Sequence, residues 1–520
     1  MISKFLLGLD IWHEILSYFE VSLEDDDEML IREKRKAMFA IALLSPKLTE
    51  LALDALWKNM TTLVPIVNIV NSNHERLGFH IANGRGCWRA SICYGVGETE
   101  RFLDDLIKHL RRVRGFRVKV SEKELELWQI LHTLLMPRSM VYLLPCLQRL
   151  SLVSADDPQS HPFLAVISYI FAPSLTSVRV EGSWGSSWNT VQQFMNSHHT
   201  PNLSQLHYLD ETLDGFLSGV GHLRSLRCLT LHEKHRFHPF SIFNELVLLS
   251  SLQKLAIGIQ MHDDDREDPS TKSLTLPELQ HLQLKIGTAE TYDPFFRQMD
   301  FPSLLTLSLD ICHALTQEPP LRSIIAAYPN LLYLTLRCAK TQSHSYQMTA
   351  NDLMSIANVC RLQSLKLVNI PHKVRWRDIF TLVKSLPALH SLVIMGPRIM
   401  FSVKLLISIS QFPNLRYIEL PLDFSYLVDY LFPKEIQMSQ SPSELRKIIS
   451  TRSKGIPSKS SAKVILVKNI LFLFPKLEEL GGTGASMEDL RGLFEVVKDM
   501  FYKPTVSRSL SNDSTALQVI

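Results

Sequence analysis

One apolar template recurs along most of this 520-residue chain. It reads Pro-x-Leu-x-x-Leu-x-Leu, and it is plainest in the stretch from Phe301 to Asp310. Clean copies start at Pro145, Pro277, Pro302 and Pro329, and looser ones at Pro173, Pro201, Pro387, Pro413 and Pro475. Copies without the proline lie at Leu226/Leu229/Leu231, Leu252/Leu255/Ile257 and Leu362/Leu365/Leu367. An apolar template returning every 23 to 31 residues or so is the mark of a solenoid, not of a compact enzyme domain.

Within one copy the last two apolar positions are two apart, so in a strand they share a face. Proline ends whatever helix precedes it. The residues after each strand can form a return helix: Leu353, Ile356 and Ala357 have helical spacing, as do Trp376, Ile379, Phe380 and Val383. The pattern resembles the leucine-rich-repeat family, which implies an α/β fold with parallel strands on a concave side and helices on a convex side. That family places Asn or Cys at the ninth position from the first leucine; of the nine repeats compared at that position, only Cys312 fits.

The first 60 residues do not follow the repeat. Apolar residues at 11, 12, 15, 16 and 19, then at 38, 41, 42 and 44, then from Leu48 to Trp57, predict three short amphipathic helices. Their combined area is small for an independent core, so docking on a partner or on the solenoid end would stabilise them. Asp10 to Leu16, Ala42 to Leu48 and Ala52 to Trp57 resemble an F-box of the form common in fungal proteins, although the usual opening proline is absent. The resemblance implies docking on the Skp adaptor of a cullin-RING ubiquitin ligase. It nominates Leu9, Ile11, Ile15, Leu16, Leu43, Leu48 and Trp57 as adaptor contacts. Each could equally be a core residue of the three helices.

The organisation expected is an F-box-like domain over 1–60, a connection over 61–110, a solenoid over 111–503 and a disordered tail over 504–520. Five glycines between Gly78 and Gly97 predict loop. Val113 to Val118 reads as a degenerate first repeat with Leu125, Trp128, Leu131 and Leu135 on its return helix. Residues 441–468 carry seven Lys/Arg and one Glu, which predicts a partly disordered basic insert. Leu490, Leu493, Phe494 and Val497 predict a closing helix.

A formal net charge of +3 gives no case for nucleic-acid binding. Seven scattered cysteines predict reduced thiols, hence a cytoplasmic or nuclear protein. No apolar run reaches the roughly 18 residues of a membrane span, and Met1 to Leu9 is short for a signal peptide. Cys87 and Cys93 lack the second ligand pair of a zinc site. The acidic run His262 to Asp268 reads as a solvated loop. His198-His199 has no third ligand near it, and Trp184 and Trp188 read as packing residues. No nucleophile elbow, phosphate loop or metalloprotease motif occurs, so neither enzyme activity nor a cofactor is expected.

The strand positions between the leucines form a ladder of outward residues, rich in Arg, Lys and His. Arg149, Arg179, His207, His232, Lys254, Lys285, Tyr333, Arg337, Lys366 and Tyr417 are its candidate ligand contacts. Such a face would suit acidic or phosphorylated protein segments; it could also be simply solvated. Two functions fit the whole: a substrate-recognition subunit of an SCF-type ligase, or a protein-binding scaffold whose first helices only cap the solenoid.

Overall fold

The computed structural model describes residues 9–24, 27–72, 79–84, 87–92, 99–119, 122–135, 142–154, 168–182, 184, 187–195, 199–209, 217–231, 245–259, 274–286, 296, 299–311, 321–339, 347–370, 372–396, 400–425, 427 and 443–502. His232, Cys93, His198, the run 262–268, Cys312 and the tail over 504–520 lie outside them. The chain divides into two units, Met1–Gly287 with Arg297–Ser303, and Thr288–Phe296 with Leu304–Ile520. Both are α/β.

The first unit opens with three helices, α1 (Leu9–Phe19), α2 (Glu28–Leu44) and α3 (Pro46–Lys58). Asp27 caps α2 by accepting from the backbone N–H groups of Met29 and Leu30. Ser45 ends α2 in extended backbone and caps α3, with Pro46 in the first turn, where its missing N–H is harmless. Leu16, Val21, Ile31, Met38, Ala42, Ala52 and Ala55 close a small core between the helices.

The glycine-rich stretch expected to be loop contains an antiparallel hairpin, β2 (Phe79–Gly84) with β3 (Cys87–Ile92). Backbone pairing outweighs the low strand propensity of its glycines. The main sheet is a parallel ladder. Strand β1 (Asn59–Met60) pairs with β4 (Gly115–Lys119), and β4 with β5 (Arg149–Ser154). The ladder then runs through β6 (Ser177–Gly182), β7 (Gln205–Leu209), β8 (Cys228–Leu231), β9 (Lys254–Ile259) and β11 (His281–Ile286). Two short strands, β10 (Leu274–Thr275) and β12 (Met299–Asp300), pair with each other beside it. The register stacks like on like. Phe116, Leu150, Val178, Leu206, Leu229, Leu255 and Leu282 make one inward column, one apolar side chain per rung. All seven are buried, each contributing about 1.5–3 kcal/mol. The solenoid thus begins at Asn59, inside the stretch expected to be F-box.

The second unit repeats the plan with β13 (Thr306–Ile311), β14 (Tyr333–Cys338), β15 (Ser364–Val368), β16 (Ser391–Met395), β18 (Tyr417–Asp423), β19 (Lys447–Lys454) and β20 (Glu479–Gly482). The short β17 (Phe401–Ser402) pairs with the far end of β18. Return helices Leu321–Ala327, Ala350–Ile356, Trp376–Ser385 and Val403–Ile409 pack each against the next. Ala485–Tyr502 is the expected closing helix, with Leu490, Phe494 and Val497 buried and Leu493 half-buried. The basic insert expected over 441–468 is corrected. Lys447–Lys454 is a strand paired on both sides, with one register shift against β18 between Leu420 and Leu422, and Ser460–Leu473 is its return helix. Ser450 stands where a leucine stands in other rungs, fully buried, its hydroxyl donating to the Arg452 carbonyl at 2.9 Å.

The same backbone bond enters most of the rungs. One carbonyl accepts from two N–H groups of the next repeat: Leu305 from Leu332 and Tyr333 (2.8 and 3.0 Å), Leu332 from Gln363 and Ser364 (2.8 and 3.0 Å). The middle residue of Pro-x-Leu often adds a side-chain bond to the preceding repeat. Asn202 donates to the Pro173 carbonyl at 2.9 Å, Asn414 to Pro387 at 2.8 Å and Ser174 to Pro145 at 3.0 Å. These polar groups tie repeats together at strand entry, whereas the family's ninth-position asparagine would act after the strand.

Gly182 ends β6 at φ +92°, and a Cβ there would stand 1.7 Å from the Ser154 carbonyl oxygen. Gly182→Ala therefore combines left-handed strain of about 1–3 kcal/mol with a backbone clash. A lowered urea midpoint for the full chain is expected, and an unchanged midpoint would contradict this packing.

Candidate protein-binding surfaces

The N-terminal helices are fixed to the ladder by a small set of polar contacts. Asn59, at the end of α3, is buried; its amide donates to the Val21 carbonyl at 2.8 Å and accepts from Arg149 Nη2 at 3.0 Å. A Cβ on Gly115 would lie 2.3 Å from Asn59 Oδ1, so only glycine allows this approach. Arg112, on the helix Thr99–Arg112, pairs with both Glu50 and Asp54 of α3. Its guanidinium holds the Glu50 carboxyl below the usual carboxylate range. The Trp57 ring packs on His109 of the same helix at 5.0 Å. Lys58 Nζ meets Glu20 at 2.7 Å.

The nominated adaptor contacts divide by burial. Leu16, Leu48 and Trp57 are buried, at 3%, 5% and 6% exposure, and Ile15 is half-buried. Trp57 packs between α3 and the Thr99–Arg112 helix. Ile11 is 45% exposed and Leu43 72%. Leu9 opens α1, but its side chain lies outside the described residues. Beside Ile11 and Leu43, sequence reasoning passed over Tyr18, Met29, Leu30 and Phe39, all exposed, and Leu44, expected in the apolar stripe of α2, is exposed as well. On α1, Ile11 and Tyr18 are seven apart and share a face; on α2, Phe39 and Leu43 are four apart and do the same. The available signal was a surplus: α1 and α2 carry more large apolar residues than one inward stripe can hold.

The outward ladder residues fall into register. In the first unit Arg117, Ser151, Arg179, His207 and Thr230 occupy one column, and Arg149, Ser177, Gln205, Cys228, Lys254 and His281 another. Much of the expected positive face is already compensated. Arg179 pairs with Glu181 and, at 3.0 Å, with Glu24 from the segment between α1 and α2. Arg117 lies 3.8 Å from Glu181. Burial, and then Arg179 alongside, lowers the His207 pKa, so the imidazole is neutral at neutral pH. Lys254 is exposed and Lys285 half-buried.

In the second unit Tyr333, Ser364, Ser391, Tyr417, Lys447 and Glu479 share a column. Arg337 stands 3.7 Å from Asp310 and Lys366 is half-buried. The Tyr417 hydroxyl donates to Glu419 at 2.8 Å; burial and that bond push its pKa up. Lys447 pairs with Glu479 at 2.7 Å and sits 6.0 Å above the Tyr417 ring. The ladder therefore offers mixed, locally neutralised polar and aromatic groups, a surface chemistry suited to protein partners. Among the described residues no cluster of metal-ligating side chains occurs, and no helix is long and apolar enough to cross a membrane.

No family model and no curated protein matches the chain. Solved structures do. The Rad7–Elc1 complex from yeast is 14% identical, with 82% of this chain and 94% of that one covered and a TM-score of 0.35. An internalin, InlF of Listeria monocytogenes, is 12% identical over 69% and 90%, at 0.34. A TLR13–ssRNA13 complex is 17% identical over 72% and 55%, at 0.37. At such identities and scores these likenesses say nothing of function, and the leucine-rich-repeat architecture rests on the register described above.

Asn59 carries two bonds between helices and ladder. Asn59→Leu strands the Val21 carbonyl and removes the acceptor of the Arg149 guanidinium, with an expected loss of about 1–3 kcal/mol. Urea unfolding followed at Trp57 and its neighbours checks it: the transition should move to lower denaturant, and an unmoved transition refutes the role.

Proposed function

We propose that this protein is the substrate-recognition subunit of an SCF-type ubiquitin ligase, its first helices docking on the Skp adaptor and its ladder holding a protein target. It performs no chemistry itself; it raises the target's effective concentration and orients it. One observation carries this reading. Seven large apolar side chains between Ile11 and Leu44 are exposed, from a stretch whose core is already closed by other residues. An apolar surface of this kind marks an interaction site. The contacts proposed are Ile11 and Leu43 from the F-box resemblance, with Tyr18, Phe39 and Leu44 beside them. Leu16 and Leu48 hold the helices together.

A second reading, a binding scaffold whose helices serve only as a cap, is favoured by the Asn59 and Arg112 contacts, which any cap would need.

Co-expression and capture with the Skp adaptor separates the two. The full chain should be captured, and Ile11→Asp with Leu43→Asp should weaken capture by about tenfold or more with circular dichroism unchanged. These positions are chosen because they are exposed; a polar residue at buried Leu16 would report unfolding instead. Failure of the intact chain to bind, where a standard F-box binds under the same conditions, sinks the ligase reading.

A further inference from the structure

A groove of about 790 Å³ opens where α2 and the end of α3 meet the first rungs of the ladder. It lies within the first unit. Its floor is apolar, with Ile31, Leu56, Trp57 and Met60, and Phe39 stands at its edge. Its walls are cationic. Arg32, Arg35 and Lys36 come from one face of α2, and Arg117 and Lys119 from β4. Among the described residues Glu28 is the single carboxylate of the lining.

Arg117 faces Glu181, but among the described residues Arg32, Arg35, Lys36 and Lys119 have no acidic partner. Arg35 is the telling one. It is half-buried, and burial holds its pKa below the usual arginine range. A guanidinium does not give up its proton in a protein, so its charge stays partly desolvated and uncompensated. An anion arriving in the groove would relieve that.

The ligand chemistry follows from the two walls and the floor. A free phosphate would use the cations and leave the apolar floor wet. A purely apolar ligand would desolvate the cations further. The three α2 cations spread along about one helical turn, some 6 Å, and β4 supplies two more. That arrangement suits carboxylates distributed along a chain with bulky apolar residues between them. The groove size falls within the roughly 300–1,000 Å³ of ligand sites. Arg117 also belongs to the outward column that continues through Ser151, Arg179 and His207, so a segment seated here would run on along the ladder.

We infer that this groove binds an acidic, amphipathic polypeptide segment of the protein target. The inference rests on the ladder being a protein-recognition face, and not on the adaptor docking.

The probe is a fluorescein-labelled synthetic peptide, Asp-Glu-Phe-Asp-Glu-Leu-Phe-Glu-Asp-Leu, titrated with the full chain and read by anisotropy. It should bind, more weakly as salt rises. Two control peptides, one with Asn/Gln for Asp/Glu and one with Ser for Phe/Leu, should each bind about tenfold or more weakly. Lys36→Glu with Lys119→Glu, two exposed positions on opposite walls, should weaken the acidic peptide by a similar factor. Arg35→Met should do the same with unchanged circular dichroism. Leu43→Asp should leave peptide binding intact, and Lys36→Glu with Lys119→Glu should leave adaptor capture intact.

Absence of binding overturns the proposal. So does equal binding of the serine peptide, which means charge alone, or indifference to the groove variants. Loss of adaptor capture in the groove variants assigns the groove to the adaptor and also overturns it. Displacement of the peptide by phosphatidylserine vesicles, with stronger binding to the vesicles, assigns the groove to a membrane and overturns it too.

Discussion

A parallel strand cannot pair with its own repeat. Each rung here has its backbone N–H and C=O groups satisfied only by the rungs on either side, and the carbonyl that enters one rung accepts two N–H groups from the next. Everything else is subordinate to that. The leucine columns follow because in-register pairing places equivalent residues above one another, and a one-residue slip would turn each column toward solvent. The first rung needs a neighbour on its open side, and α3 runs straight into it. The N-terminal helices are therefore part of the first unit's structure as well as the surface proposed for adaptor docking.

That double role explains how the nominated adaptor residues divide. Trp57 is spent on the junction with His109, and Leu16 and Leu48 on holding three short helices together. What remains exposed, Ile11, Tyr18, Phe39, Leu43 and Leu44, lies outside the small core that holds the helices together. A chain that exposes them gives up apolar burial that its small helical core could use. The groove beneath α2 leaves charge unpaired as well: on the outward face Arg179, Arg337 and Lys447 find Glu24, Glu181, Asp310 or Glu479, while among the described residues Arg32, Arg35, Lys36 and Lys119 of the groove walls find no acidic partner.

The repeat was legible because its signal is short-range. Two leucines two residues apart, a proline before them and a helical stretch after them are all visible within one copy. Lys447–Lys454 escaped because Ser450 stands in a leucine position and Pro442 comes one residue early of the template. The hairpin over Phe79–Gly84 and Cys87–Ile92 escaped because its glycines read as loop. The surface was much less legible. Glu24 and Arg179 are 155 residues apart, and nothing in either neighbourhood tells that one neutralises the other. Nor does amphipathic spacing tell which apolar residues of α2 face Leu16 and which face water, since a helix with apolar residues on two faces has two admissible inward stripes.

Hydrogen exchange of the full chain with and without the Skp adaptor addresses the central claim, that the first helices are locked to the ladder and present a free apolar face. Slow exchange of α3 and β1 in both states, with new protection confined to α1 and α2 when the adaptor is added, is the result expected. No change in α1 and α2, or fast exchange of α3 in the free protein, would contradict it.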